Sequence, residues 1–139
     1  PVIKEVLAVH EPEAEKRQIR FQLDWPTDLP EINADPRLFY QVMNNLIKNS
    51  VEAMSDSGII RISGAVQEAH LCVAVEDTGS GIAPEILDKM FDPFFTTKGK
   101  KGTGLGMSIV KTIVTAHRGT IECLSETEKG TTVYLRFPV

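Results

Sequence analysis

Three polar residues, Asn45, Asn49 and Glu52, recur at helical spacing in the segment NNLIKNSVEAM. In an α-helix, their side chains would fall within a stripe roughly 60° wide along one edge of an apolar face. Amide and carboxylate oxygens in this arrangement could bind Mg²⁺ together with phosphate oxygens. A solvated helix flank would have the same composition, so this segment alone leaves both interpretations open.

A second candidate for chemistry is the carboxylate of Asp77, which ends the apolar run HLCVAVED. Gly79 and Gly81 follow at alternate positions and leave space beside it. A carboxylate at a strand end can accept a hydrogen bond from an exocyclic amine. Asp-x-Gly turns are common in proteins of every function, so this signal is weak by itself.

The third candidate is the segment FFTTKGKKGTGLG, residues 94–106, which combines lysines with closely spaced glycines. It fits neither standard nucleotide loop, because Leu105 stands where a Walker A loop needs lysine and Ile109 where the dinucleotide fingerprint needs glycine. The N-terminus of a following helix would still offer free N–H groups and a positive dipole to phosphate. The glycines that immediately precede this predicted helix are Gly102, Gly104 and Gly106.

Predicted helices must position these residues. The periodicity of apolar residues predicts helices over 2–17, from Pro36 to about Met54, and over about 105–117. Asp35 followed by Pro36 is typical of an N-cap and a first helical residue. The buried face of the first helix is predicted to contain Val2, Val6, Val9 and Ala14. In the second helix it is predicted to contain Phe39, Met43, Leu46, Ile47, Ser50 and Met54, with Lys48 in solvent.

Five segments alternate or run apolar in the manner of strands: IRFQLD, GIIRISG, HLCVAVED, GTIECLS and TTVYLRF. ETEKG is predicted to be the turn between the last two. Residues 79–104 show no clear periodicity, and a loop of this length in a compact domain tends to be functional or disordered. The pattern predicts an α+β fold, a mixed sheet with helices gathered on one face.

Composition limits the classes of protein that need to be considered. The 139 residues suit one domain, and the 42 % apolar content is enough for a single core. The net charge of −4 argues against nucleic acid as the main partner. Cys72 and Cys123 are expected to be buried thiols of a reducing compartment. The chain starts at Pro1 without a signal-peptide pattern, and we interpret it as part of a longer protein.

Together the motifs resemble the ATP-binding catalytic domain of sensor histidine kinases. NNLIKNSVEA is similar to the N box, DTGSG to the G1 box, FDPFFTTK to the F box and GTGLG to the G2 box. The resemblance covers residues 1–139. It implies a two-layer α/β sandwich of the Bergerat type, in which ATP lies between the helices and a mobile lid of about residues 83–103.

The resemblance also implies roles for individual residues. Asn49 corresponds to the Mg²⁺-binding asparagine, Asn45 to a phosphate-side asparagine, and Asp77 to the acceptor for the adenine amine. Thr131 corresponds to a threonine that reaches adenine through water. Phe91, Phe94 and Phe95 correspond to lid anchors. The residues implied for the base pocket and the phosphates are Gly79, Gly81, Ile82, Thr96, Thr97, Lys98, Gly102, Thr103, Gly104, Leu105 and Gly106.

One position departs from a common family pattern. Many members carry a lysine that faces the γ-phosphate where this chain has Glu52. Because a carboxylate cannot neutralise phosphate, the positive charge would come from Mg²⁺ and from a lysine of residues 94–106. Lys98 is assigned to the catalytic set with Asn45, Asn49 and Glu52, whereas Lys100 and Lys101 could equally be a solvated basic loop.

The motif HEPEAE at His10 is similar to the phosphorylated His-Glu pair of these kinases, but its location differs. The family's acceptor lies in a helical hairpin that precedes the ATP-binding domain, whereas His10 lies in what resembles the domain's own first helix. His10 is therefore expected to be structural, as are His70 and His117.

The implied function is transfer of the γ-phosphoryl group of Mg-ATP to a histidine on a separate dimerisation domain, upstream of a response regulator. The expected location is cytoplasmic, with a monomeric isolated domain, no nucleic acid and no membrane contact. Two alternatives remain. One is another ATPase or serine kinase of the same fold, although the ATPases place a glutamate base where this chain has Asn45. The other is a nucleotide-sensing interaction module without transfer activity.

Overall fold

The computed structural model describes residues 2–26, 29, 35–52, 54, 57–79, 106–126 and 129–138. Within these ranges the chain forms three helices and five strands. The helices are α1 (Val2–Lys16), α2 (Pro36–Glu52) and α3 (Gly106–Ala116). The strands are β1 (Ile19–Asp24), β2 (Gly58–Gln67), β3 (His70–Asp77), β4 (Thr120–Glu126) and β5 (Gly130–Pro138).

The five strands form one mixed sheet in the order β1-β2-β3-β5-β4. β1 runs parallel to β2, and the other three neighbouring pairs are antiparallel. β3 is the central strand, and its last residue, Asp77, lies opposite Ile60 on β2 and Thr131 on β5. Hydrogen bonding on both sides therefore fixes the backbone that carries the Asp77 carboxylate.

The helices cover one face of this sheet. Successive strand side chains point to opposite faces, and on β3 the buried ones alternate as Leu71, Val73, Val75 and Asp77. Phe39 of α2 meets Phe137 of β5 edge to face, with ring centroids 6.0 Å apart. The opposite face carries exposed charged side chains such as Glu76. This two-layer α/β sandwich, with a mixed sheet and helices on one face, confirms the predicted fold class.

The predicted helix ends agree with the structure to within two residues, but two predictions of burial were wrong. Val9 is 59 % exposed, because the buried face of α1 is centred near Ile3 and Ala14. Val9 lies about 120–140° around the helix from these two residues. Cys72 and Cys123, both described, are half-buried and form no disulfide. Lys48 is exposed, as predicted.

Candidate functional site

The helix that carries the candidate asparagines is held at both ends. At its start, Asp35 Oδ1 accepts a hydrogen bond from the Arg37 N–H at 2.9 Å, which is the predicted N-cap. This backbone hydrogen bond and the Arg37 side chain hold the pKa of Asp35 below its ordinary value. At its end, Arg17 Nη1 donates to the carbonyl oxygens of Val51 at 3.2 Å and Met54 at 3.1 Å. A cation at this position also complements the helix dipole.

The polar edge of α2 is present as predicted from the spacing. Asn45 and Asn49 are half-buried and one helical turn apart, while Glu52 is exposed. All three take part in polar or electrostatic interactions within the structure. The sequence analysis missed Asn44, whose Oδ1 lies 2.6 Å from Nε2 of His10 on α1. His10 therefore links the first two helices.

Asp77 is a buried carboxylate, 5 % exposed, at the end of the central strand. Its Oδ1 accepts a hydrogen bond from the Gly79 N–H at 2.9 Å. Ser50 of α2 and the backbone of Thr131 lie near enough to the carboxylate to lower its pKa. Burial raises the pKa of Asp77 above its ordinary value of 3.8, and the interactions of the carboxylate with Gly79, Ser50 and Thr131 oppose that rise. Asp77 is thus held as an acceptor at a site that disfavours its charge.

Two hydroxyl groups continue the row that starts at Asp77. Thr131 is the register partner of both Asp77 and Ser125. The Oγ atom of Ser125 lies 2.8 Å from Oγ1 of Thr131 and donates to the carbonyl oxygen of Gly130 at 3.0 Å. A cleft of about 290 Å³ borders Asp77, Ser125 and Thr131 at this end of the sheet. This row provides both donors and acceptors to a polar ligand.

Gly130 permits the close approach of β5 to the end of β3. Its φ of +120° lies in a region that L-residues rarely adopt, and a Cβ there would collide with the carbonyl oxygen of Asp77. Glycine at this position therefore lets the start of β5 pass close to the end of β3, where Thr131 pairs with Asp77.

Cys123 lies close enough to Asp77 for the two to interact electrostatically. Burial, and then the Asp77 charge, raise the pKa of the Cys123 thiol to about 11. A thiolate is disfavoured at such a site, so Cys123 behaves as a small apolar side chain beside the carboxylate.

The structure brings together some of the residues predicted for the site. Asp77, Gly79 and Thr131, all predicted for the site, lie together, and Ser50, predicted only for the core face of α2, is beside them. α3, which begins at Gly106, packs against the helix that carries Asn45 and Asn49. The described ranges contain no group of three or more His, Cys, Asp or Glu that could hold a metal ion. The predicted residues outside the described ranges are Gly81, Ile82, Phe91, Phe94, Phe95, Thr96, Thr97, Lys98, Lys100, Lys101, Gly102, Thr103, Gly104 and Leu105.

Comparison with known proteins assigns the family. A family model described as histidine kinase-, DNA gyrase B- and HSP90-like ATPase matches residues 34–139. The chain therefore belongs to this family of ATPases, and within it resembles the catalytic domains of histidine kinases. It is 33 % identical to the catalytic domain of histidine kinase ThkA, with a TM-score of 0.87, over 99 % of this chain and 90 % of that one.

The curated relatives of this chain are longer kinases. The chain is 41 % identical to sensor histidine kinase ZraS of Escherichia coli K12 over 91 % of its own length and 27 % of that protein. It is 39 % identical to sporulation kinase A of Bacillus subtilis 168 over 99 % of its length and 22 % of that protein. The chain thus spans between about a fifth and a quarter of these relatives. In the described ranges, no helix has the length and apolar character needed to cross a membrane.

Proposed function

We propose that this domain binds Mg-ATP and donates its γ-phosphoryl group to a histidine on a separate dimerisation and phosphoacceptor domain. The observation that carries the proposal is Asp77, a carboxylate only 5 % exposed at the end of the central strand. An acceptor-only group there suits the exocyclic amine of adenine and repels the carbonyl oxygen that guanine has at that position. The similarity to histidine kinases supports transfer to histidine rather than hydrolysis.

The described residues fit a nucleotide with its metal ion. Asn49 would hold Mg²⁺ through its amide oxygen, since Mg²⁺ bound to phosphates commonly takes one or two protein ligands and several waters. When bound, the ion would neutralise charge on the phosphate oxygens during transfer. Asn45, one turn earlier on α2, would orient the phosphates, and Thr131 would support the base beside Asp77. The role of Glu52 is confined to the edge of this site, because its side chain is exposed.

The remaining roles are assigned from the sequence motifs. We propose that residues 1–139 are one catalytic domain in which about 83–103 form an ATP lid. Gly81 and Ile82 are assigned to the base pocket. The residues assigned to the lid and the phosphate turn are Phe94, Thr96, Thr97, Lys98, Gly102, Thr103, Gly104 and Leu105. The proposed partners are a dimerisation domain of the same protein and a response regulator, in the cytoplasm. A solved complex of ThkA with the response regulator protein TrrA supports this partner class.

Calorimetric titration tests the nucleotide site. The domain should bind ATP with Mg²⁺, bind it less tightly without the ion, and discriminate against GTP. Asp77→Asn should weaken ATP binding at least tenfold, about 1.4 kcal/mol, because the amine loses its charged acceptor. Asp24→Asn is the matched control, since that carboxylate is exposed on β1 and should leave the affinity unchanged. Unchanged affinity in Asp77→Asn, or equal affinity for GTP, would contradict the assignment.

A transfer assay tests the reaction. Radiolabelled γ-phosphate from ATP should appear as acid-labile label on a separately supplied acceptor hairpin of a related histidine kinase. ATP binding without transfer to any acceptor would favour the nucleotide-sensing module. Fast hydrolysis without an acceptor would favour an ATPase.

A further inference from the structure

Ser125 lies at the far end of the row of polar side chains that starts at the Asp77 carboxylate. The row crosses three neighbouring strands, because Thr131 of β5 is the register partner of Asp77 on β3 and of Ser125 on β4. Side chains of directly opposed residues share one face of a sheet. All three residues border the cleft of about 290 Å³ at this end of the sheet. Ser125 is therefore one strand further from Asp77 than Thr131 is.

The hydrogen bonds of Ser125 determine which partner donates in this row. A hydroxyl group has one hydrogen to donate and two lone pairs with which to accept. The Oγ atom of Ser125 lies 3.0 Å from the carbonyl oxygen of Gly130, which can only accept, so the Ser125 hydrogen is directed to this carbonyl. The same Oγ atom lies 2.8 Å from Oγ1 of Thr131. Because the Ser125 hydrogen is already used, Thr131 is the donor in this second contact.

The direction of these two bonds sets what Thr131 offers to a ligand. A hydroxyl at the edge of a cleft can in general either donate or accept. The Thr131 hydrogen is directed to Ser125 on β4, on the side away from Asp77, so lone pairs of Thr131 are what remains for a ligand. The Asp77 carboxylate is likewise an acceptor. The cleft therefore presents two neighbouring acceptors, one from each of two paired strands.

We propose that Ser125 is a positioning residue for base recognition, which holds the Thr131 hydroxyl as an acceptor beside the Asp77 carboxylate. This inference rests on the proposed nucleotide-binding function. Two neighbouring acceptors match an exocyclic amine, which has two N–H groups, and repel a carbonyl oxygen at the same position. Ser125 acts through Thr131 and does not contact the base. It strengthens the preference of the site for a 6-amino purine over a 6-oxo purine.

Nucleotide selectivity tests this role. Competition calorimetry would measure the affinities of ATP and of inosine triphosphate, which has a carbonyl oxygen in place of the 6-amino group, for the parent chain and for Ser125→Ala. In the variant the Thr131 hydrogen is released and can donate to that oxygen. The preference for ATP should therefore fall about threefold to tenfold, the effect of one hydrogen bond. Ser125→Thr retains the hydroxyl and should keep the parent preference, as should the control Ser63→Ala, in a half-buried serine of β2.

A double-mutant cycle separates positioning from direct contact. In a Thr131→Val background, Ser125→Ala should have no further effect on the preference for ATP, because its effect requires the Thr131 hydroxyl. A further loss of preference in that background would show that Ser125 contacts the nucleotide itself, and would overturn its role as a positioning residue. Equal losses of affinity for both nucleotides in Ser125→Ala alone would show that Ser125 only supports the fold.

A second measurement needs no nucleotide. Neutron diffraction from crystals of the deuterated chain should show the Ser125 deuterium directed to the Gly130 carbonyl oxygen and the Thr131 deuterium directed to Ser125 Oγ. The reverse direction, with Ser125 donating to Thr131, would overturn this inference and leave the proposed function intact. So would ATP binding whose preference over inosine triphosphate is the same in Ser125→Ala as in the parent. Failure of the parent chain to bind ATP would overturn the proposed function, and this inference with it.

Discussion

At the scale of single residues, Asp77 combines a chemical role with a cost to folding. A carboxylate with a raised pKa binds its proton more tightly in the folded chain than in the unfolded one. Its contribution to stability is therefore fully present below the unfolded value near 3.8, and is lost as pH rises through the higher folded value. This cost is retained because the proposed base pocket requires a carboxylate as its acceptor.

This linkage predicts a pH-dependent difference between the parent chain and Asp77→Asn. As pH rises from 4 towards 7, the parent's free energy of unfolding should fall relative to that of the variant. Asp35→Asn is the matched control, because the pKa of Asp35 is lowered and asparagine is also a good N-cap. For this pair, the free energy of unfolding of the parent chain should rise relative to that of Asp35→Asn as pH rises. Denaturant unfolding at several pH values measures the free energy of unfolding of the parent chain and of both variants. If the parent changed in the same direction relative to both variants, the assigned pKa shifts of Asp77 and Asp35 would be refuted.

Cys123 provides a second prediction at this scale. With a pKa of about 11, instead of the ordinary 9.0, its thiolate is rare at pH 8. In a Cys72→Ser background, alkylation of Cys123 at pH 8 should be at least about a hundredfold slower in the folded chain than in urea. Asp77→Asn should speed the folded reaction, because the Asp77 charge contributes to the raised pKa. Mass spectrometry of iodoacetamide-treated chain would show this, and equal rates in folded and unfolded chain would contradict it.

At the scale of elements, the β2–β3 hairpin has an unfavourable turn. Glu68 and Ala69 connect the paired residues Gln67 and His70, and both have positive φ, 50° and 61°. Two-residue hairpins with this geometry favour Asn-Gly, because other L-residues are strained in the left-handed region. The ion pair from Arg136 to Glu68 is long, at 3.9 Å, and exposed, so it contributes little.

Replacing this turn by Asn-Gly should therefore stabilise the domain. The double variant Glu68→Asn, Ala69→Gly should increase the free energy of unfolding by about 1–2 kcal/mol. Ala65→Gly, the same exchange at an exposed site of β2 without positive φ, should instead lower it by about 0.5–1 kcal/mol. Urea denaturation would compare the variants, and a double variant less stable than the parent would show that the turn is not strained.

The elements also show how far sequence reasoning extends. The Asp35-Pro36 start of α2 was predicted and is confirmed, because an N-cap is a local signal. Ser50 was assigned to the core face correctly, yet its contact with Asp77 depends on where α2 lies over the sheet. The pairing of Thr131 with Asp77 likewise depends on strand register. Tertiary packing, and not local propensity, determines these contacts.

At the scale of the whole molecule, the layers bring together groups from distant parts of the chain. The central strand supplies Asp77, α2 supplies Ser50, and the β4–β5 pair supplies Ser125 and Thr131. The sheet holds three of these residues in one row, and the helix layer closes over that row from one side.

We therefore expect the 139-residue chain to bind Mg-ATP but to hydrolyse it very slowly and not to phosphorylate itself. Asn45 cannot take a proton from water, so the usual base of the related ATPases is missing at that position. His10 is engaged in a contact of 2.6 Å with Asn44 between α1 and α2, which makes its Nε2 a poor nucleophile. Incubation with γ-labelled ATP measures both activities: released free phosphate reports hydrolysis, and acid-labile label on the protein reports self-phosphorylation. His10→Gln is the control, and label present on the parent chain but absent from this variant would identify His10 as an acceptor and contradict its structural role.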